Sequence, residues 1–401
     1  MKKVLAEALE VVKPSEEERN DVSDRVKSFM KKLKKHTGVQ FQLGGSGAKG
    51  TWTKGIKDAD VYAKFSLSMY KDKSAEISDV LEKLIKVKGV KRLHGSRDYY
   101  QVRVDGFLFE IIPIMNITNA DQALNITDIS PLHTKYVIKN KKYQDDIILA
   151  KAFFKANGIY GAESYIKGMS GYVIEVLVIH YGGFEKFVRA CAKWGEKVVL
   201  DPKKYHKNVL LEVNKSKLDS PLILIDPVER GRNAAAAVGE EKFADLVSVC
   251  KKFVKKAKSD YFIPQIFSLD KVKGDIVLEV SAKSGKQDVV GSKLLKVFEY
   301  VDKRLDDFSP KGEWHWDGKA WMWWKLKHVK LSEYEERIGP PVKIEHAVKK
   351  FKKKYRKAFV KKGRMYAKVK RDERDVKDIV NAVIREKYVQ ERVKGVKWLT
   401  N

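Results

Sequence analysis

Apolar residues mark out the elements along the chain. Residues 4–13 read as one helix, and Pro14-Ser15-Glu16-Glu17-Glu18 opens a second. Ser15 and Glu18 have capping-box spacing, and the acids sit at the positive end of the helix dipole. Val22, Val26, Phe29, Met30 and Leu33 follow at helical spacing. Residues 39–43 alternate as a strand does and run into Gly44-Gly45-Ser46-Gly47, a turn of small residues. Residues 58–66 read as a strand, 75–87 as an amphipathic helix, and 99–104 and 107–114 as a hairpin across Asp105-Gly106. These elements predict a small mixed α/β domain over residues 1–136.

The pattern then changes. Long apolar-periodic segments at 143–156, 169–194 and 240–256 predict a mostly helical domain over residues 137–255, broken by Gly158-Ile159-Tyr160-Gly161 and by a loop at Asp226-Pro227-Val228 and Gly231. Residues 256–401 predict an α+β domain. It has a strand at 277–280 and a helix at 285–308 that Gly291 interrupts. A hairpin turns at Asp317-Gly318, with Trp314, Trp316, Trp321, Trp323 and Trp324 filling one sheet face.

Composition narrows the class. A chain of 401 residues with 43% hydrophobic residues is globular and multidomain. No apolar run reaches the ~18 residues of a spanning helix. The N-terminus is basic at first but soon carries acids, so it does not read as a signal peptide. Cys191 and Cys250 lie in apolar helical contexts, which predicts free thiols and a cytoplasmic protein. The net charge of +29 calls for a polyanionic partner, nucleic acid before a membrane surface. Residues 349–371 concentrate that charge, with 13 Lys or Arg and no acid. Within them Lys349, Lys350, Lys352, Lys353, Lys354, Arg356, Lys357 and Arg364 alternate with aromatics and are candidate RNA contacts. A solvated basic face is the competing reading.

The candidate chemistry lies near the N-terminus. Residues i and i+2 of a strand share a face, so Asp58 and Asp60 project together. Glu110 interrupts the apolar run Phe107-Leu108-Phe109-Glu110-Ile111-Ile112, where an acid is costly unless paired or metal-bound. Three carboxylates on neighbouring strands can hold two Mg2+ ions about 4 Å apart. An Asp-x-Asp in a solvated loop and an acid on an edge strand are the bland readings. Ser46 and the backbone N–H groups at a helix start can donate to phosphate, with Lys49 one turn later. Ser46 as a plain N-cap competes with that.

At these residues the chain resembles the archaeal-type (class I) CCA-adding enzymes, tRNA nucleotidyltransferases of the DNA polymerase beta superfamily. The resemblance is carried by Gly45-Ser46-x-Ala48-Lys49-x-Thr51-Trp52-x-Lys54-Gly55, Ser130-Pro131-Leu132-His133-Thr134-Lys135-Tyr136 and Lys155-Ala156-Asn157-Gly158-Ile159-Tyr160-Gly161-Ala162-Glu163. Gly168-Met169-Ser170-Gly171-Tyr172, Asp226-Pro227-Val228 and Arg232-Asn233-Ala234-Ala235 extend it. It covers residues 1–255 well and thins beyond, where Gly339-Pro340-Pro341 and Gly363-Arg364 are its clearest points.

The resemblance implies an α+β multidomain fold, with a polymerase-beta-like nucleotidyltransferase head, a helical neck, and a body and tail that grip the tRNA acceptor stem and TΨC arm. It implies Asp58, Asp60 and Glu110 as the catalytic metal ligands. Ser46 and Lys49 would lie on the triphosphate, His133, Lys151 and Tyr160 on phosphates and sugar, and Arg232 near the incoming base. CTP and ATP would be the nucleotides, and a homodimer is suggested. Glu110 stands where the family usually shows Asp, Asp58 where Glu is common, and Lys49 where Arg is frequent. Two other readings share these residues: a different template-independent RNA polymerase or oligonucleotide synthase, and a catalytically weak RNA-binding homologue.

Overall fold

The computed structural model describes residues 1–33 and 38–399, which part into two compact units, Met1–Gln265 and Ile266–Asn401. The first unit opens with α1 (Lys2–Val12) and α2 (Glu16–Lys31). Ser15 Oγ caps α2 by accepting from the Glu18 N–H at 3.1 Å. The Glu18 carboxylate does not complete the reciprocal box. It accepts from the Gly55 N–H at 2.6 Å and so ties down the loop before the carboxylate strand.

A five-stranded sheet follows, from β1 (Val39–Leu43), β2 (Asp58–Ser66), β3 (Lys91–Leu93), β4 (Tyr99–Val104) and β5 (Phe107–Asn116), in the order β1-β2-β5-β4-β3. Between the strands lie α3 (Gly45–Lys49), α4 (Leu67–Tyr70) and α5 (Ile77–Leu84). The decisive pair is β2 with β5. They run parallel, with Asp60 opposite Glu110. Ala59, Val61, Ala63 and Phe65 alternate into the core, where Phe29 of α2 stacks on Phe109 of β5 at 3.9 Å. The same alternation turns Asp58 and Asp60 to the other face.

A second core is helical. It is built on α6 (Ser130–Lys139), α7 (Gln144–Ala156), α8 (Gly171–Tyr181) and α9 (Phe184–Cys191), and α1 buries Ala8 and Val12 in it. The stretch expected to be helical over 169–194 divides because Gly182 closes α8 at φ 75°, which favours glycine. Two short strands, β6 (Val198–Leu200) and β7 (Leu222–Leu224), pair in parallel within the region expected to be mostly helical. The short α10 (Val209–Glu212) lies between them, and α11 (Glu240–Lys255) completes the core.

The second unit holds β8 (Ile276–Ala282), α12 (Gln287–Arg304), β9 (Lys311–Asp317), β10 (Lys319–Lys325), β11 (Tyr334–Pro341), α13 (Glu345–Lys354), β12 (Phe359–Lys361), β13 (Arg364–Lys370), α14 (Val376–Arg385), α15 (Lys387–Gln390) and β14 (Val393–Trp398). Its sheets are β14-β8-β10-β9 and β11-β13-β12. Gly291 does not interrupt α12; it is buried, and tertiary packing outweighs its weak helix propensity. The tryptophans do not share one face either. Ala320, Met322 and Trp324 enter the core, while Trp321 and Trp323 take the opposite face, where Phe267 lies 4.9 Å from the Trp321 ring. Among the described residues no helix is long and apolar enough to cross a membrane.

Candidate active site

Asp58 begins β2 at the solvent edge, Asp60 is half-buried, and Glu110 is half-buried beside it on β5. Glu110 is held by Gln101 of β4, whose Nε2 donates to Oε1 at 2.5 Å. Desolvation raises the Asp58 carboxyl, and the Lys155 ammonium partly offsets this. Asp60 is pushed up to about 7, first by desolvation, then by the charges of Glu110 and Asp58, against the pull of Lys49. An added cation would relieve this crowding of negative charge.

The turn before α3 is shaped around Asp60. Gly45 has φ 53°, and a Cβ on it would lie 1.6 Å from Asp60 Oδ2. The Gly45 N–H donates to Tyr62 Oη at 3.3 Å, and the Gly44 N–H to the Asp60 carbonyl at 2.8 Å. Ser46 is inside α3 and is not its cap, since Gly44 takes that position. Ser46 instead lines the cleft beside Asp58.

Ser46, Thr51, Asp58, Lys151, Lys155 and Tyr160 line a cleft of about 480 Å³. Lys151 is not a helix-surface lysine. It is buried on α7, and its Nζ donates to Glu175 Oε1 at 2.7 Å and to Thr51 Oγ1 at 2.9 Å. Lys49 Nζ reaches the other oxygen of Glu175, also at 2.7 Å. Burial alone would raise Glu175, but Lys151 and Lys49 hold it down at about 2. Tyr160 is pushed up to about 12, by burial and then by Glu175, Glu163, Asp58 and Asp60, so its hydroxyl keeps its proton. The Lys155 ammonium lies 5.1 Å from the Tyr160 ring centre.

His133 and Arg232 form a second cluster, around buried Asp226. His133 Nε2 donates to Oδ2 at 2.8 Å, Arg232 Nη1 to Oδ2 at 2.7 Å, and Tyr172 Oη to Oδ1 at 2.9 Å. Burial would raise Asp226, but the His133 hydrogen bond and charge, the Val228 N–H and Arg232 bring it to about 2. Arg232 thus forms an ion pair with Asp226. Tyr172 links the clusters: its ring stacks on His133 at 3.9 Å and lies 5.8 Å from the Lys49 ammonium.

Glu175, Thr51, Lys155, Tyr172 and Asp226 were not given roles from sequence. Glu175 carried a usable signal, an acid inside the apolar run Val173-Ile174-Glu175-Val176-Leu177, the same signal that singled out Glu110. Asp226 lay in a recognised motif, but its partners come from elements distant in sequence.

The donor chemistry fits a hard divalent cation, since the three carboxylates offer oxygen alone. Among the described residues no three Asp, Glu, His or Cys side chains converge tightly enough to cage a metal. Mg2+ characteristically takes one or two carboxylates and completes its shell with phosphate and water, which this open arrangement suits.

The RNA-contact candidates lie in the second unit. Lys349, Lys350, Lys352, Lys353 and Lys354 are exposed on α13, Arg356 and Lys357 are exposed just after it, and Arg364 is exposed at the start of β13.

Comparison with known proteins adds the rest. A family model described as "tRNA nucleotidyltransferase, second domain" matches residues 145–263, and one described as "CCA-adding enzyme, C-terminal domain" matches residues 277–394. A CCA-adding enzyme of Sulfurisphaera tokodaii is 31% identical over 98% of this chain and 94% of its own length. One from Nanoarchaeum equitans is 32% identical over 81% of this chain and 82% of its own. A solved structure of Cid1, described as having RNA terminal uridylyl transferase activity, superposes with a TM-score of 0.52 at 13% identity, over 67% of this chain and 99% of Cid1. At that identity the likeness shows the fold, that of the nucleotidyltransferases.

Proposed function

The chain belongs to the archaeal CCA-adding enzymes, the tRNA nucleotidyltransferases, and on that premise we propose that it adds C, C and A to tRNA 3′ ends from CTP and ATP, releasing pyrophosphate, in the cleft beside Asp58, Asp60 and Glu110. The observation that carries the site is the parallel pairing of β2 and β5, which sets Asp60 against Glu110 beside a cationic cleft.

In this reading Ser46 Oγ and the N–H groups of α3 donate to triphosphate oxygens. Lys49 and Lys151 neutralise the phosphates. Tyr160, protonated, donates to phosphate or sugar. His133, with Nε2–H held on Asp226, faces phosphates and sugar, and Arg232, held on the same carboxylate, lies near the base. Asp58, Asp60 and Glu110 hold divalent metal, Mg2+ and two ions in this proposal. Metal bound there supplies charge neutralisation at the triphosphate and a lowered pKa for the primer 3′-hydroxyl. The exposed cations at 349–357 and Arg364 take the acceptor stem and TΨC arm by backbone and shape. The setting is the cytoplasm.

The test is incubation with Mg2+, CTP, ATP and tRNA lacking its CCA. Addition of C, C, A and then arrest supports the proposal. Long untemplated tails indicate a different polymerase, and tRNA binding without incorporation indicates a non-catalytic homologue. Alanine at Asp58 or Asp60 should abolish incorporation while tRNA still binds; retained activity would sink the metal assignment.

A further inference from the structure

Glu175 lies midway along α8, fully buried, and three donors from other elements close on its carboxylate. Lys49 of α3 meets Oε2, and Lys151 of α7 and Thr51 meet Oε1, each at 2.7 Å. The Lys49 and Lys151 side chains are 10% and 5% exposed. Two buried ammonium groups thus share one carboxylate, leaving a surplus positive charge at a wall where Lys151 and Thr51 line the cleft.

We propose that Glu175 is a positioning residue of the nucleotide site: it holds the Lys49 and Lys151 ammonium groups together, charged and aimed, so that removing this negative charge weakens the binding of an anion. This rests on the reading above that both lysines meet the triphosphate.

The argument is electrostatic. Two ammonium groups that close repel each other strongly where water is excluded. Burial already drives Lys151 toward its neutral form, Lys49 and Lys155 add to that, and Glu175 is the group that opposes it. Without the carboxylate, one amine would turn away or lose its proton; the net charge would stay at one, but the Lys151 ammonium would no longer be held where it lines the cleft. Lys151 commits donors to Glu175 and Thr51, and an ammonium has three, so one remains for the cleft. Lys49 belongs to the short helix beside the sheet, and Lys151 and Glu175 to the helical core. A single carboxylate therefore fixes cations from two elements, α3 and α7, in one geometry, which is how a site avoids reorganising when substrate arrives. Asp58 and Tyr160 line the same cleft.

Charge and packing predict opposite rank orders at this residue. Gln matches Glu in volume and keeps an acceptor but lacks the charge; Asp keeps the charge but is one methylene shorter. Full-length Glu175→Gln and Glu175→Asp are compared with wild type for CTP KM, kcat, tRNA Kd and thermal midpoint. Glu175→Gln should raise the CTP KM by about tenfold to a hundredfold, the scale of a lost charged hydrogen bond, with tRNA Kd unchanged. Glu175→Asp should recover most of that loss, to within about fivefold of wild type on the same scale. A wild-type KM in Glu175→Gln overturns the proposal, as does a Glu175→Asp enzyme impaired as much as Glu175→Gln. If Glu175→Gln does not fold, Glu175→Asp decides alone, and a KM raised beyond about tenfold overturns it. If wild type incorporates neither C nor A, the functional reading fails by itself. The same rank order, read from CTP binding by calorimetry, then still decides the role of Glu175.

Discussion

Glu110 differs from a shorter Asp by one methylene, and its surroundings are fitted to that length. Its Oε1 accepts from Gln101 at 2.5 Å while it lies opposite Asp60 across two parallel strands. Glu110→Asp would withdraw the carboxylate by about 1.5 Å and break the Gln101 contact. A displacement of that order is expected to lower single-turnover incorporation by about tenfold to a hundredfold. A sharp rise would show that the site is not fitted to the longer Glu110 side chain. Asp226 makes a different prediction, in acid. Its carboxyl lies near 2 in the folded chain, below the ordinary 3.8, so the unfolded chain binds more protons between those values. Stability from Asp226 is therefore present above about pH 4 and lost as pH falls toward 2, at about 2–3 kcal/mol. Asp226→Asn should flatten the thermal midpoint against pH in that window. An unchanged acid slope would mean that His133 and Arg232 do not hold this carboxylate.

At the scale of elements, legibility followed how local each determinant was. The edges of β2 and β4 and the start of β5 were readable because alternation and an Asp-Gly turn are local signals, while β5 runs two residues beyond its expected end. The face shared by Asp58 and Asp60 follows from period two alone. The clusters around Glu175 and Asp226 were not readable, because Lys49, Lys151 and Glu175 come from three separated helices. The tryptophan hairpin was read as one-faced, yet adjacent Trp323 and Trp324 must point oppositely on a strand. Asp128 is another determinant of this hidden kind. It is fully buried between β5 and α6, accepts the N–H groups of Met115, Leu124 and Asn125 at 2.8–3.0 Å, and pairs with Arg97. It fixes the connection that leads into α6, which carries His133 to the Asp226 cluster. Asp128→Ala would leave Arg97 and those donors unpaired. It should cost about 3–5 kcal/mol in urea unfolding of the first unit; a cost below about 1 kcal/mol, the scale of an exposed pair, would assign the connection to packing instead.

The whole molecule carries a charge of +29, and that charge makes a claim separable from the chemistry. Helix α13, which carries much of the basic run, is seated through an aromatic side chain. Within α13 no residue is fully buried, and Phe351 seats the helix on Gly339, where a Cβ would come within 2.7 Å of its ring. Lys352, Lys353 and Lys354 are exposed, so exchanging them for Gln leaves that seat intact. If they meet phosphates, each contact displaces counterions, and the logarithm of tRNA affinity falls with the logarithm of salt by about 0.7–0.9 per contact. The triple Lys→Gln variant should then bind tRNA more weakly at low salt, with a slope shallower by about 2–3. Its CTP KM at saturating tRNA should stay at the wild-type value, because the nucleotide cleft lies wholly in the first unit. A weaker affinity with an unchanged slope would make these lysines structural supports and shift phosphate recognition to other basic residues. An unchanged affinity would leave α13 a solvated face, its charge serving solubility alone.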